Sequence, residues 1–408
     1  MQRVDVLILG GGLVGLTTAL ALDAHGLSSV VIDPADPAKM LTADFDGRAS
    51  AIASASWRML QAIGVAVRLE GQGCKIRRIE VRDGLSKNPL DFTPTDGEAL
   101  GTMVENRFLR RALYEAALSA KNISLRTPDH AVSVDRGPGG VTATLDDGST
   151  VQADLLIAAE GRNSPTRAAA GIRTATWKYD HIAIISAFEH SIPHDNVAHE
   201  IFYPAGPFAL LPMLPGNRSA LVWTVAAKDA PGLLALSDFA FAVEAQKRTG
   251  GLLGTLSAAA PRSSYPLGFH HAAVITGDRL ALVGDAAHGI HPIAGQGLNL
   301  GFRDVAALVE VLVDGSRLGL DLADRQLLDR YQNWRSLDTL MVATATDTLT
   351  RLFGIPGRPA RAVRRFGLGA VQRIAPLKSM FMAEARGETG ALPKLLGNYP
   401  IATSSWSR

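Results

Sequence analysis

The sequence has almost no cysteine: its 408 residues contain one, Cys74. A single cysteine excludes an intrachain disulfide and any cysteine metal cluster, and a reducing compartment is its natural setting. Nothing in the sequence offers Cys74 an activating partner, so it reads as an inert residue rather than a nucleophile. The chain also lacks an excess of either charge. Its 41 Lys and Arg stand against 39 Asp and Glu, a formal net charge of +2. That balance gives no support to nucleic-acid binding as the main activity. No apolar run reaches the roughly 18 residues of a spanning helix. The apolar N-terminal run enters a triple glycine with no small-residue cleavage site, so it reads as a strand rather than a secretion signal. Neither an internal repeat nor a low-complexity segment is present. The expected setting is cytoplasmic, as a soluble or peripheral protein.

What is present is ordinary globular material, 47% hydrophobic and 20% charged, with ample substance for a large core. Length alone predicts two or three domains. Residues 4-VDVLILG-10 form a short, branched apolar run suited to a buried parallel strand. A glycine turn, a helical stretch stopped by Gly26 and a second apolar run, 29-SVVIDP-34, complete a βαβ unit. The segment 76-IRRIEVRD-83 alternates and predicts a strand, and 105-ENRFLRRALYEAALSA-120 predicts a helix. From 132 to 161 the pattern is a β-meander ending in the apolar run DLLIAAEG. Runs at 181–190, 199–206, 208–214 and 219–226 predict an antiparallel sheet, and a helix follows near 236–250. At 280-LALVGDAA-287 the α/β character returns, with helices over 297–350. The expected fold is α/β. A discontinuous Rossmann-like domain (1–175, with an excursion near 76–100, and 273–350) surrounds an antiparallel β-sheet domain (176–272). A C-terminal helical segment (351–408) follows.

Gly10, Gly12 and Gly15 lie between the predicted first strand and helix, and Asp33 ends the next strand, 18 positions past Gly15. This is the dinucleotide fingerprint in its required context. The glycines permit a tight turn and close approach of backbone to pyrophosphate. The helix N-terminus, entered at Leu13 and Val14, offers unpaired N–H groups and the positive end of its dipole. Asp33 can accept from both ribose hydroxyls and would repel a 2′-phosphate. The fingerprint alone does not choose between FAD and NAD.

A second stretch, 284-GDAAHGIHPIAGQGLN-299, sets Asp285, His288 and His291 at intervals of three. The spacing looks like that of a metal site, yet His291 precedes Pro292 and is thereby extended. The three residues would not share a helix face, and no metal is expected. Acid/base work and a packed structural role both remain open for the histidines. Structure is favoured for His288, and His291 stays the one catalytic candidate.

With these motifs in view, the chain resembles the class A FAD-dependent aromatic hydroxylases. It carries their three markers in order: GGGLVG at 10–15; Ala158-Ala159-Glu160-Gly161-Arg162-Asn163-Ser164-Pro165-Thr166-Arg167; and Gly284-Asp285. Within that class, GDAAHGIHPIAGQGLNLGFRD, ENRFLRRAL and FALLPMLPGNRSALVWT resemble the ubiquinone-biosynthesis hydroxylases. The resemblance spans nearly the whole chain and implies FAD as cofactor, with O2 and NAD(P)H or another electron donor as co-substrates. It implies cofactor contacts at Asp285, at Pro292, Gly295, Gln296, Gly297, Leu298 and Asn299, and at Arg48 and Arg107. It implies a hydrophobic polyprenylated phenol hydroxylated through a flavin C4a-hydroperoxide, so that the cofactor does the difficult chemistry. It also raises other ubiquinone-biosynthesis proteins as partners. One departure stands out: the family has an Asp where this chain has Glu160, a change that bears on the electron donor more than on FAD. Two other readings stay open, a reductase or dehydrogenase on the same fold and a non-catalytic flavoprotein subunit. The tail from 351 to 386 carries eight Lys and Arg against Glu384. It has an apolar face, so it suits either an anionic membrane surface or packing on the protein body.

Overall fold

The computed structural model describes residues 2–42, 44–94, 96–289, 296–336 and 374–397. Apolar runs buried on both faces build the first layer. Gln2–Leu9 lies parallel to Thr150–Ala158 on one side and to Ser29–Ile32 on the other. Ile123–Arg126 and Leu280–Leu282 extend this parallel sheet at its two ends. Val6, Leu7 and Ile8 are fully buried, as a strand covered on both faces requires. The predicted meander forms: Ala131–Gly137, Gly140–Leu145 and Thr150–Ala158 pair antiparallel in sequence order. Helix Leu13–Asp23 packs against helix Asn106–Ser119 and against the long helix Gln296–Arg317. Phe302, Val305, Leu308 and Leu312 of the long helix are buried in the same core as the parallel strands.

The second layer is a nine-stranded sheet. The four predicted strands form as Thr174–His190, Val197–Tyr203, Gly206–Met213 and Arg218–Ala226. Ser263–Ala272, which the alternation did not single out, pairs antiparallel along Thr174–His190. The predicted strand at 76–83 divides between two sheets. Gly73–Ile76 joins a three-stranded sheet with Ala49–Ala53 and Gly101–Glu105, and Arg78–Asp83 joins the nine-stranded one. Residue pairing fixes what each face of the large sheet presents, because side chains alternate along a strand. Ile184, Phe188, Ile201, Phe208, Leu221 and Trp223 face helix Asp238–Thr249 and enclose its Phe241. The intervening residues face the other way, where Ala198, Met213 and Ala220 pack with Cys74, Ile76 and Met103 of the small sheet.

Cys74 sits in the small sheet, 3% exposed, and burial pushes its thiol up to about 11. We expect no reaction of the folded protein with a maleimide at pH 7.5 and complete reaction after unfolding. Rapid labelling of native protein would show that this sheet opens.

The basic tail lies largely outside the described residues. Its described part, helix Ala375–Arg386, is fastened to the body. Arg386 makes a bidentate pair with Asp96 (2.6 and 2.7 Å), and Arg303 donates to the Thr389 carbonyl at 2.6 Å. Arg58 pairs with Glu388 at 2.7 Å. Among the described residues, no helix is long and apolar enough to cross a membrane.

Candidate active site

The first strand ends at Gly10, whose φ of +104° favours glycine; a Cβ there would lie 2.5 Å from the Ala159 carbonyl oxygen. Gly12 is the N-cap of helix Leu13–Asp23, and no side chain caps that helix or places an acid in its first turn. A Cβ on Gly12 would meet nothing within 4 Å, whereas one on Gly15 would fall 1.8 Å from the Gly10 carbonyl oxygen. The loop is thus closed against its own fold at Gly10 and Gly15 and open at Gly12, over uncapped helix N–H groups. Asp33 holds it in place. One carboxylate oxygen accepts from the Gly11 N–H at 2.5 Å and the other from the Ala35 N–H at 2.7 Å. Each oxygen retains a lone pair for a further donor.

The stretch at 284 is organised by a residue that sequence reasoning passed over, Asp304 of the long helix. Asp304 is fully buried. Its carboxylate lies 2.6 Å from Arg335 Nε and 2.7 Å from His288 Nε2, and accepts from the Gly284 N–H at 2.9 Å. Burial pushes the Asp304 carboxyl up, but His288 and Arg335 outweigh it and hold the group below the ordinary carboxylate range. Gly284 itself turns with φ +59°. His288 is therefore a packed, 2%-exposed member of this anchor. The anchor leaves Asp285 projecting outward. Its backbone oxygen accepts from His270 Nε2 at 2.7 Å, and its side chain lines a cavity.

That cavity, of about 430 Å³, lies between the large sheet and the segment Gly47–Ala49. Its floor is the second face of the sheet: Ile185, Ala209, Leu211, Ala220, Val222 and Thr224. One acid stands among them, Glu200, 9% exposed, whose carboxyl is pushed up to about 7 by burial. A smaller cavity of about 60 Å³ continues past Glu200 and Leu211, toward Ile76, Leu100 and Ala385 of the C-terminal helix.

The other expected residues distribute as follows. Arg48 lines the cavity and pairs with Asp46 through a 2.6 Å Nε hydrogen bond. Arg107 is not among the lining residues; it pairs with Glu105 at 2.6 Å and stacks over Phe108. Asn299 is buried and bridges the long helix to strand Ala49–Ala53, accepting from the Ala53 N–H and donating to the Ala51 carbonyl, both at 2.8 Å. Gly297 and Leu298 stand in the first turn of that helix, where Gln296 opens it. His291, Pro292 and Gly295 lie outside the described residues. Glu160, the departure from the family pattern, accepts from Ser164 Oγ at 2.5 Å and from Thr166 Oγ1 at 3.0 Å. Its longer reach is therefore taken up within its own turn.

Residues 3–345 match the FAD binding domain family. The chain belongs to that family. This flavoenzyme is similar to ubiquinone hydroxylase UbiL of Rhodospirillum rubrum, 47% identical over 384 residues that cover 94% of this chain and 89% of that protein. It is also similar to the 3-demethoxyubiquinol 3-hydroxylase of Escherichia coli, 34% identical over 95% of this chain and 99% of that one. Among solved structures, p-nitrophenol 4-monooxygenase PnpA of Pseudomonas putida shares its fold with a TM-score of 0.78, covering 98% of this chain and 100% of that one, at 18% identity. The flavoenzyme is an FAD-dependent monooxygenase of the aromatic-hydroxylase class. Its open glycine loop fits the cofactor: an uncapped helix N-terminus and the space at Gly12 are what a pyrophosphate needs.

Proposed function

We propose that the enzyme hydroxylates the aromatic ring of a polyprenylated phenol or quinol intermediate of ubiquinone biosynthesis. The observation that carries this reading is the 47% identity to a ubiquinone hydroxylase over almost the whole chain. The apolar floor under the cavity supports it, because a prenylated ring is hydrophobic and must be held away from water. FAD, when bound, supplies the activation of O2 with electrons from NAD(P)H or another donor. The chain's own residues bind and orient. Gly10, Gly12 and Gly15, with the N–H groups of Leu13 and Val14, would hold the pyrophosphate, and Asp33 the ribose. Asp285 and Arg48 would border the cofactor at the cavity, with Arg107 behind them. Pro292, Gly295, Gln296, Gly297, Leu298 and Asn299 would present backbone to the flavin edge, where a helix N-terminus favours the negative charge of a reduced ring. Residues 1–175 and 273–350 would then serve as the cofactor domain and 176–272 as the substrate domain. Segment 351–386 would bring the enzyme to an anionic membrane surface, from which such substrates are drawn.

The test is turnover of a short-chain polyprenyl phenol with NADH or NADPH under 18O2. We expect one 18O atom in a hydroxylated product and none from labelled water. Turnover without O2 would instead establish a reductase or dehydrogenase. Tight FAD binding with no turnover of any phenol would favour a non-catalytic subunit.

A further inference from the structure

Glu200 is an anomaly in its surroundings. It lies on strand Val197–Tyr203, opposite Ala209 of the neighbouring antiparallel strand and Val81 of the parallel one. Across the sheet the same row continues through Val222 to Ile185. The adjacent rows on this face hold Leu211 with Ala220 and Pro207 with Thr224. A glutamate nine-tenths buried in such a row costs free energy unless something meets it. Among the described residues, no hydrogen bond or ion pair meets its carboxyl. Its neighbours in sequence do not help. His199 faces the other side of the sheet, where it contacts Glu80 at 3.5 Å, and Glu80 is itself engaged by Arg78 and Arg82. Among the described residues, the titratable or charged side chains sharing the cavity with Glu200 are Arg48, Asp285 and Tyr265. On the C-terminal helix, Arg386 is committed to Asp96 and Glu384 accepts from Thr389. Thr224 Oγ1, also on this floor, is buried with no hydrogen-bond partner among the described residues.

We propose that Glu200 receives the ring hydroxyl of the aromatic substrate, fixing which edge of the ring lies on the sheet and taking up the hydroxyl proton as the ring is attacked. This rests on the proposed hydroxylase function and adds to it a residue that recognises the substrate. In the step, the phenolic O–H bond breaks and a carboxyl O–H bond forms. The electron pair stays on the phenolate oxygen, where it enriches the ring toward an electrophilic oxygen. The proton then passes from the carboxyl to water. The raised carboxyl suits this work, because a base closer in proton affinity to a phenol (ordinary pKa about 10) shares its proton better than an ordinary carboxylate does. Thr224 Oγ1 is a second polar group for the same ring edge.

The test uses the FAD-loaded enzyme, with 2-geranylphenol and its methyl ether as probes, comparing wild type with Glu200→Gln and Glu200→Asp. Glutamine keeps the volume and a hydrogen bond but cannot take a proton. We expect Glu200→Gln to retain FAD and to bind the methyl ether as wild type does. Its hydroxylation rate constant for the phenol should fall on the order of 10²-fold or more. We also expect wild type to bind the phenol with an affinity that changes through one ionisation near pH 7. That dependence should be absent from Glu200→Gln and kept by Glu200→Asp. Binding is read from the flavin absorbance change, independently of turnover. A Glu200→Gln enzyme with unchanged rate and an unchanged pH profile of binding would overturn the proposal while leaving the hydroxylase reading intact. A wild-type enzyme that neither binds nor hydroxylates the phenol would overturn both.

Discussion

Asp304→Asn is expected to destabilise the enzyme by about 3–5 kcal/mol, the range for removing one partner of a buried ion pair. The carboxylate is fully buried, with Arg335 Nε at 2.6 Å and His288 Nε2 at 2.7 Å, and it also holds the Gly284 N–H. Asparagine keeps one acceptor for that N–H and removes the charge facing the guanidinium. Arg335 is itself buried, so water cannot take the place of the lost carboxylate. The urea midpoint of the FAD-free protein is the measurement, because bound cofactor would add its own stabilisation. A midpoint within error of wild type would show that Asp304 is not an anchor. The pH dependence follows from the direction of the shift. The folded carboxyl is held below its ordinary value, so its contribution is complete above the unfolded pKa of about 3.9 and is lost as pH falls through the lower folded value. Between pH 5 and 8 stability should therefore show no slope from Asp304. A titration in that window belongs to other groups, Glu200 among them.

Much of the fold was legible because its signals are local. The run VDVLILG, the glycine turn and the acid at Asp33 lie within one βαβ unit, and the strands found there match the runs that predicted them. The meander was legible from its turns and alternation. Strand Ser263–Ala272 was harder. Its run, SSYPLGFHHA, contains a proline and a glycine, both of which ordinarily weaken a strand. Its place beside Thr174–His190 is conferred by a partner some eighty residues away, and no local pattern records that.

The site divides along the same line. The glycine loop could be read because backbone geometry dictates residue type. Asp304 could not, because its value lies in contacts with residues 16 and 31 positions away, His288 and Arg335. A signal did exist: in the helical run FRDVAALV, apolar apart from Arg303 and Asp304, an acid has to be buried against something. Glu200 left a similar trace. Strand alternation puts it with Ala198 and Phe202 on one face, and a carboxylate between two apolar residues is out of pattern. Neither trace says what the acid meets. That requires the register of the sheet, which aligns Val222 and Ile185 with Glu200, and the turn at Gly284, which sets Asp285 in the same cavity.

The glycine loop separates cofactor binding from folding, which makes Gly12 the most informative substitution in it. Gly12→Ala places a methyl group where nothing lies within 4 Å, at a φ of −75° open to any residue. Folding stability should change by no more than about 1 kcal/mol, the cost of a poorer N-cap. FAD affinity should fall at least about tenfold, or 1.4 kcal/mol, because the methyl group occupies the approach to the helix N–H groups. Gly15→Ala should behave differently. Its methyl group would fall 1.8 Å from the Gly10 carbonyl oxygen, and neither backbone can yield without moving the loop off the helix. We expect about 1–3 kcal/mol of destabilisation of the FAD-free protein, with cofactor lost as a consequence. Fluorescence titration with FAD and denaturant unfolding of the FAD-free protein distinguish the two. If Gly12→Ala bound FAD as wild type does, the pyrophosphate would not cross this loop, and the assignment of Gly10, Gly12 and Gly15 to the cofactor would fall with it.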